Sequence, residues 1–364
     1  MGADTSQSAA TTGRPVLVVG CGVAGSALAI GLARAGIPTE VVDIAEHTDG
    51  AAIGLVGRAV NALEELGVLA DCVAESAVAG DAGAGFPAAT FDQAGRPLPV
   101  PPPPPAADPR LPAALALYRP VLAAILWDAA RAAGATRRIG VSVRELSQSA
   151  DRVDVTFTDG TRGRYQLVVG ADGFRSAVRD LVVGPEITPV YTGHMSLRWL
   201  VREPPAGPPG AYTAPGTTVT VAPLRGGLLQ VATGEDMPKV RIGQARARAA
   251  LRDILGRFSA PLLVALRERL TEDQQIVTRP FDYLLVPPPW HRGRVVLAGD
   301  AVHLSTSHLS YGGGMALEDA VVLVQELLAP GTVEDALDRY AKRRFDRVRM
   351  IVEASVGLLR LQQR

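Results

Sequence analysis

The sequence predicts an α/β protein in which a domain built on a parallel sheet carries an inserted, mainly β domain. Strand-to-helix junctions with glycine or aspartate recur near residues 20, 172 and 300, which predicts the first domain. Residues 186–279 are instead rich in Pro, Gly and Thr, with short β-like runs. We assign 14–75, 106–185 and 280–330 to the first domain, 76–105 and 186–279 to the second, and 331–364 to a C-terminal helix.

Length and charge narrow the class of protein. A chain of 364 residues can bury a large core and form about two domains. Lys+Arg and Asp+Glu are both 37, so no basic face for nucleic acid or anionic membrane is indicated. Cys21 and Cys72 are too few for a disulfide framework, and no metal site is predicted. The N-terminus lacks a secretory pattern, and the most apolar window, Leu111–Ala130, contains prolines and charges. We therefore expect a cytoplasmic protein without an integral membrane segment.

The first junction has the pattern of a dinucleotide-binding βαβ unit. The strand Pro15–Val19 is followed by GCGVAG, a helix ending at Gly36, and a second strand, Thr39–Val42, that leads to Asp43. The three glycines suit a tight turn, close approach of the backbone to a pyrophosphate, and close helix–sheet packing. Asp43 would bind a ribose hydroxyl pair. The alternative is an ordinary tight turn.

The last junction combines a buried strand, an acid and a glycine-rich helix start. Arg294–Ala298 is a short apolar run, and Asp300 follows it. Gly312–Gly314 open a helix whose apolar stripe covers Met315–Leu328. A helix N-terminus of this kind presents unpaired N–H groups and the positive end of the dipole. It predicts a site for an anionic or electron-rich group, unless it is simply a capped turn.

Other segments predict further elements. Residues 1–13 are expected to be disordered, and the proline run at 101–105 to be an extended connector or a ligand for a polyproline-binding partner. Three further helices are predicted: Arg58–Leu69 with a stop near Gly67, Tyr118–Gly134 with Arg119 just before it, and Gly243–Arg269. A three-stranded meander is predicted at Val141–Gly173, and it leads into GADGFRSAVR.

GCGVAG with Asp43, GADGFRSAVR, and RVVLAGDAVH with GGGMALEDA stand in this order between residues 16 and 320. The sequence thereby resembles the FAD-dependent aromatic hydroxylase family, the single-component flavin monooxygenases with the p-hydroxybenzoate hydroxylase fold. The resemblance implies a Rossmann-like, glutathione-reductase-type FAD-binding domain. It also implies an enzyme that uses FAD, with NADH or NADPH as co-substrate.

The implied activity is monooxygenation of the hydroxylase or epoxidase type. One oxygen atom from O2 would pass, through a flavin C4a-hydroperoxide, to an aromatic or electron-rich small molecule such as a natural product. The partners would be this substrate and O2, and the protein a monomer or homodimer. An FAD-dependent reductase or dehydrogenase of a polyene or lipid-like substrate remains an alternative, as does a nicotinamide-binding regulator or scaffold that uses only the first motif.

The resemblance also assigns cofactor contacts. Arg119 would reach the flavin, although a surface cation is the alternative; Asp172 belongs to a motif for FAD and nicotinamide; and Val143 resembles the position whose backbone meets adenine. The family usually has Pro at Ser307 and Gln or a small residue at Tyr311. The complete implied set is Gly20, Gly22, Val23, Ala24, Gly25, Asp43, Arg58, Arg119, Val143, Asp172, Asp300, Gly312, Gly313 and Gly314.

Substrate contacts are expected from the inserted sheet. His194, Ser196 and Arg198 alternate along one predicted strand and so share a face, where they would either hold a phenolate or carboxylate or face solvent. His194 and Arg198 are the candidate catalytic residues. Val219, Val221 and Pro223 are predicted to form an apolar wall of the substrate site, and His303 to have a structural role.

Overall fold

The computed structural model describes residues 13–45, 50–77, 89–99 and 108–363, and most of the segments expected to be disordered or proline-rich lie outside them. Its helices are α1 Val23–Arg34, α2 Arg58–Glu65, α3 Leu69–Glu75, α4 Arg119–Ala132, α5 Ala177–Val182, α6 Gln244–Leu255, α7 Pro261–Glu268, α8 Gly312–Leu328 and α9 Val333–Gln362, with 3-10 turns at Gly299–Ala301 and Ser307–Leu309. Its strands are β1 Val16–Val19, β2 Thr39–Asp43, β3 Ala52–Val56, β4 Thr90–Phe91, β5 Pro97–Leu98, β6 Ala114–Tyr118, β7 Thr136–Ile139, β8 Val143–Gln148, β9 Val153–Phe157, β10 Arg162–Tyr165, β11 Leu167–Gly170, β12 Val190–Arg202, β13 Gly210–Ala214, β14 Thr217–Leu224, β15 Leu228–Asp236, β16 Ile276–Leu285, β17 His291–Arg292, β18 Val295–Leu297 and β19 His303–Leu304.

A six-stranded sheet in the order β17-β18-β11-β1-β2-β7 forms the centre of the first domain. All its pairings are parallel except that of β17 with β18, and Val18 lies between Val41 and Val169. Parallel strands end at a common edge, and this places the loops after β1, β11 and β18 together. The predicted α/β class with a Rossmann-like parallel sheet is therefore confirmed.

An eight-stranded sheet in the order β19-β16-β12-β15-β14-β13-β4-β5 forms the inserted part. Its pairings are antiparallel apart from β13 with β4. Helices α6 and α7 share a buried core with one face of this sheet, which includes Leu197, Trp199, Val219 and Val221. The opposite face borders the first domain. The predicted boundary at residue 280 falls inside β16, and the division into domains stays a prediction.

The predicted meander at 141–173 is present as the antiparallel sheet β10-β9-β8, and its last apolar run continues as β11 in the parallel sheet. The short pair β3-β6 and the edge strand β7 had no prediction. Among the described helices, none has both the length and the apolar character that a membrane span requires.

The helix predicted over Gly243–Arg269 is wrong, because α6 ends at Leu255 and α7 begins at Pro261. Gly256 caps α6, and the N–H groups of Ser259 and Ala260 donate to the Gln93 carbonyl at 2.9 and 3.0 Å instead of extending a helix. Proline at the first helical position lacks only an N–H that would have no partner there.

The helix predicted over Arg58–Leu69, with a stop near Gly67, ends at Glu65, and a second helix begins at Leu69. The stop near Gly67 is confirmed, because Gly67 adopts a φ of 61°. Arg119, expected just before a helix, is instead the first residue of α4. Pro120 is tolerated in that first turn.

Candidate active site

A cavity of about 470 Å³ lies between the carboxyl edge of the parallel sheet and the open face of the eight-stranded sheet. It brings together residues from both domains that the sequence singled out. Those lining it are Gly22, Val23, Ala24, Arg119, His194, Arg198, Asp300, Gly312 and Gly313. The other predicted cofactor residues, Gly20, Gly25, Asp43, Arg58, Val143, Asp172 and Gly314, do not line it.

Each glycine of the first loop has a different geometry. Gly20 has a φ of 103°, and a Cβ there would lie 2.3 Å from the Ala171 carbonyl oxygen. A Cβ on Gly25 would lie 1.8 Å from the Gly20 oxygen, so close helix–strand packing requires glycine. A Cβ on Gly22 would meet no atom within 4 Å, and no side chain caps α1 there. Gly22 therefore leaves open space at an uncapped helix N-terminus, which suits an incoming phosphate.

Asp43 and Asp172, which follow β2 and β11, accept hydrogen bonds from backbone N–H groups. Asp43 accepts hydrogen bonds from the N–H groups of Cys21 at 2.6 Å and Ala45 at 3.0 Å, which holds its carboxylate beside the glycine loop. Asp172 accepts from Ser176 Oγ at 2.5 Å and the Val178 N–H at 3.2 Å, so it stabilises the start of α5. Burial raises the pKa of Asp172. Their contacts with a nucleotide stay predictions.

Three further predicted positions lie apart from the cavity. Arg58 is exposed at the start of α2, and Val143 is buried in β8. Gly314 is buried in α8, where a Cβ would come within 3.0 Å of Ala59 Cβ.

The junction between β18 and α8 presents a free hydrogen-bond acceptor and free donors to the cavity. The Asp300 carboxylate has no hydrogen-bond partner among the described residues, and burial raises its pKa although Arg119 opposes the shift. Tyr311 precedes α8 without a side-chain cap, and Gly312 and Gly313 line the cavity. The cavity therefore meets the start of α8, where the first N–H groups have no intrahelical partner and the helix dipole is positive. These groups fit FAD: Asp300 could accept hydroxyls of the ribityl chain, and α8 could stabilise negative charge on the ring.

A buried ion network supports this junction from behind. His303 and Asp319 are fully buried, and His303 Nε2 lies 2.6 Å from Asp319 Oδ2, which also accepts the Gly299 N–H at 2.8 Å. Arg344 from α9 donates to Asp319 Oδ1 at 2.8 Å and to Glu318 at 2.5 Å. Burial would raise the pKa of Asp319, but His303 and Arg344 hold it well below its usual range. These contacts agree with a structural role for His303.

The substrate candidates on β12 face the cavity. His194 and Ser196 are buried there and Arg198 is partly exposed to it, so the alternative of a solvent-facing trio is wrong. The predicted apolar wall is also wrong. Val219 and Val221 are at most 1% exposed because they pack in the core shared with α6 and α7. Pro223 shares their parity along β14 and does not line the cavity.

The residues opposite that core are the ones that sequence reasoning missed. Thr218 and Thr220 line the cavity, because they alternate with the core valines of β14. Gln230 of β15 lines it too and accepts a hydrogen bond from the Ala52 N–H. Phe281 stacks on the His194 ring with centroids 5.7 Å apart. The Thr/Val alternation was a visible signal for the threonines.

The fold and the cavity together define a flavin-dependent oxidoreductase: a dinucleotide-binding sheet supplies the cofactor edge, and a second sheet presents a polar face to the same cavity. Comparison with known proteins specifies the class further. The FAD binding domain family matches residues 14–355, nearly the whole described chain. The chain therefore belongs to this family of FAD-binding enzymes.

Individual similar proteins are consistent with this family assignment. The chain is 31% identical to the FAD-dependent urate hydroxylase of Klebsiella oxytoca over 363 residues, covering 92% of this chain and 87% of the relative. It is 28% identical to the aurachin C monooxygenase/isomerase of Stigmatella aurantiaca, covering 97% and 90%. The crystal structure of Klebsiella pneumoniae HpxO complexed with FAD and uric acid superposes with a TM-score of 0.78 at 24% identity, covering 96% of this chain and 89% of that one.

These comparisons decide among the three functions that the sequence left open. The chain is an FAD-dependent monooxygenase of the aromatic hydroxylase type, and FAD is its cofactor. The relatives carry oxygenase names, which supports oxygen transfer over the reductase alternative. An FAD-binding family that spans the chain excludes a scaffold using only the first motif.

Proposed function

We propose that this monooxygenase hydroxylates a planar, electron-rich small molecule that carries a negative charge, and that NADH or NADPH supplies the reducing equivalents. The observation that carries the proposal is Arg198. Its guanidinium lines the cavity and donates to Ser196 Oγ at 3.0 Å, but no carboxylate pairs with it among the described residues. A guanidinium that faces a cavity without a carboxylate beside it calls for an anionic partner.

The electrostatics around Arg198 strengthen the case for an anion. Burial, followed by repulsion from Arg119 and Arg279, lowers the pKa of Arg198 to about 10, so the group is still protonated at neutral pH. An anionic group of the substrate would relieve both the desolvation and the repulsion. The Klebsiella oxytoca relative is named for urate, a planar ring that is anionic at neutral pH.

The other cavity residues suit a flat polar ring. Phe281 offers an aromatic face beside His194, and Thr218, Thr220 and Gln230 offer hydroxyl and amide groups along the opposite strands. Hydrogen bonds from these groups would fix the ring's orientation in the cavity.

The chain's own residues would prepare the site for the reaction. The chemistry that bound FAD supplies is hydride acceptance from the nicotinamide and transfer of one oxygen atom from O2. Gly22 and the α1 N-terminus would hold the phosphates, and Asp300 the ribityl hydroxyls. The N–H groups at Gly312 and Gly313 would stabilise negative charge as it develops on the ring. The cytoplasmic location and the choice of monomer or homodimer stay predictions.

The test is a screen of FAD-loaded protein against aromatic acids, phenols and urate. NADH or NADPH oxidation is followed together with mass analysis for products that have gained one oxygen atom. For a substrate found this way, Arg198→Gln should raise KM about 10–100-fold, the loss of a hydrogen bond to a charged group. The control is Arg202→Gln, which changes an exposed arginine on the same strand. Oxidation without oxygenated product for every compound, or equal KM values in the two variants, would contradict the proposal.

A further inference from the structure

His194 is placed to exchange a proton with a ligand in the cavity. Its side chain is 6% exposed, and its Nδ1 lies 2.5 Å from Asp236 Oδ1. Parallel stacking on Phe281, with 4° between the ring planes, fixes the orientation of the imidazole. Nε2 has no hydrogen-bond partner among the described residues, and His194 lines the cavity. The nitrogen that remains free is therefore available to a ligand.

Asp236 connects this histidine to solvent. Its side chain is 58% exposed, and its Oδ1 also accepts a hydrogen bond from Gln363 Nε2, just beyond α9, at 2.8 Å. Partial burial raises the pKa of Asp236, but the hydrogen bonds from Gln363 and His194 outweigh that effect and lower it overall. The carboxylate is thus ionised at neutral pH, so Nδ1 of a neutral His194 must donate to it. That tautomer leaves the lone pair on Nε2, toward the cavity.

We infer that His194 is the base that takes a proton from a hydroxyl of the bound substrate. Asp236 then stabilises the protonated imidazole and connects it to solvent. The inference deepens the proposed function and rests on it. A phenol or enol O–H bond breaks, the proton binds Nε2, and the substrate keeps the electron pair as an oxyanion. The imidazolium is stabilised by the Asp236 carboxylate, which can pass the Nδ1 proton to water.

The cycle closes without a further reactant. The oxyanion donates electron density into the ring, which makes the ring a better nucleophile toward the transferred oxygen. After hydroxylation the attacked ring carbon loses its hydrogen as a proton to water, the product oxygen takes the Nε2 proton back, and Nδ1 regains its proton from water through Asp236. A base at this position is useful because a proton released inside the cavity needs a route out, and the pair with His194 leads to the exposed Asp236 carboxylate.

Other charged and titratable groups surround the dyad. Arg198 lies on the same strand, and its charge would favour an oxyanion next to His194. His308 lies across Phe281, with ring centroids 5.2 Å apart. On the solvent side, Tyr191 lies near Asp236. Tyr191 also lies near the ion pair that Lys239 forms with Asp282. The variants below leave all of these groups in place.

The experiment uses FAD-loaded protein and two chromogenic phenols, 4-nitrophenol and 4-hydroxy-3-nitrobenzoate, whose ionised forms absorb visible light. Difference spectra across pH give the ionisation constant of the bound phenol, and stopped-flow mixing gives the rate at which the anion forms. The variants are His194→Asn and Asp236→Asn. The matched control is Asp338→Asn, which breaks the His291–Asp338 pair (3.0 Å), an equivalent pair outside the cavity.

Wild-type protein should raise the ionisation constant of at least one bound phenol about tenfold or more. His194→Asn should abolish most of that gain and slow anion formation about 100-fold, the range for general base catalysis. Added imidazole should restore part of the rate. Asp236→Asn should produce a smaller loss, and Asp338→Asn should match wild type.

No ionisation of either phenol by wild-type protein, or the same ionisation in His194→Asn, would overturn the inference. Weaker binding with unchanged ionisation would assign His194 a structural role and overturn it as well. If His194→Asn does not fold, Asp236→Asn alone decides, because it changes an exposed carboxylate. Ionised phenol without hydroxylation of any compound would instead reject the proposed function and leave the base assignment standing.

Discussion

Replacing Gly22 and Gly25 by alanine, one at a time, should separate cofactor binding from stability within a single loop. Gly22 has φ and ψ of −77° and −164°, which alanine adopts without strain, and its Cβ would meet no atom within 4 Å. Gly25→Ala would place a methyl group 1.8 Å from the Gly20 carbonyl oxygen, where backbone must move. The two changes add the same methyl group three residues apart.

The two substitutions should affect the free energy of unfolding differently. Gly22→Ala should leave the free energy of unfolding of the cofactor-free protein unchanged or raise it by up to about 1 kcal/mol, because alanine restricts the unfolded chain. Gly25→Ala should lower it by about 1–3 kcal/mol, the range for overpacking. Both should weaken FAD binding at least about tenfold, or roughly 1.4 kcal/mol, since each disturbs the approach to the phosphates.

Urea unfolding of the cofactor-free protein gives the stability, and quenching of FAD fluorescence on titration gives the affinity. Gly36→Ala is a useful control, because it lies at the other end of the same helix, at a φ of 75°, and should affect stability without affecting binding directly. The reasoning would be refuted by a Gly22→Ala variant that binds FAD as tightly as wild type, since the open space at Gly22 would then not be the cofactor's path.

Three further predictions follow from other contacts. Arg119→Ala should weaken FAD binding by about 1.5–3 kcal/mol in the same titration, and unchanged affinity would make Arg119 a simple cavity-lining cation. Asp319→Asn should lower the free energy of unfolding by about 3–5 kcal/mol at pH 7. This loss should shrink as pH falls below about 4, because the folded-state pKa of the Asp319 carboxylate is lowered. The control, Asp346→Asn at an exposed aspartate, should lower it by under about 0.5 kcal/mol. Val219→Thr should cost about 1–3 kcal/mol because it buries a hydroxyl, whereas Thr220→Val should cost little, and equal costs would contradict the assigned faces.

The parts of the fold that could be predicted depend on local signals. The βαβ unit around Gly20 and the strand before Asp300 each carry their strand, turn and helix within about 30 residues. Parallel strands then bring these loops to one edge whatever else the chain does. The convergence of Gly22, Asp300 and Gly312 on one cavity was therefore accessible from sequence.

The errors concern long-range packing. Which face of β14 points to the cavity depends on α6 and α7 covering the other face, and nothing near Val219 in sequence reports that. The break before Pro261 depends on Gln93, more than 160 residues away, accepting the hydrogen bonds that would have continued the helix. Likewise the partnership of Asp319 with Arg344 and of His194 with Asp236 joins elements that only the folded chain brings together.

The charge of the cavity also differs from what the overall composition of the chain would suggest. The chain has 37 basic and 37 acidic residues, yet the cavity is positive, because it contains Arg119, Arg198 and two uncapped helix N-termini. Asp319, an acid close to the cavity, does not cancel this field, because it is paired with His303 and Arg344 behind the loop. The field therefore arises from where the charges are paired and not from their number. A cavity with this field would stabilise negative charge on FAD and on the proposed anionic substrate, although the protein as a whole is neutral.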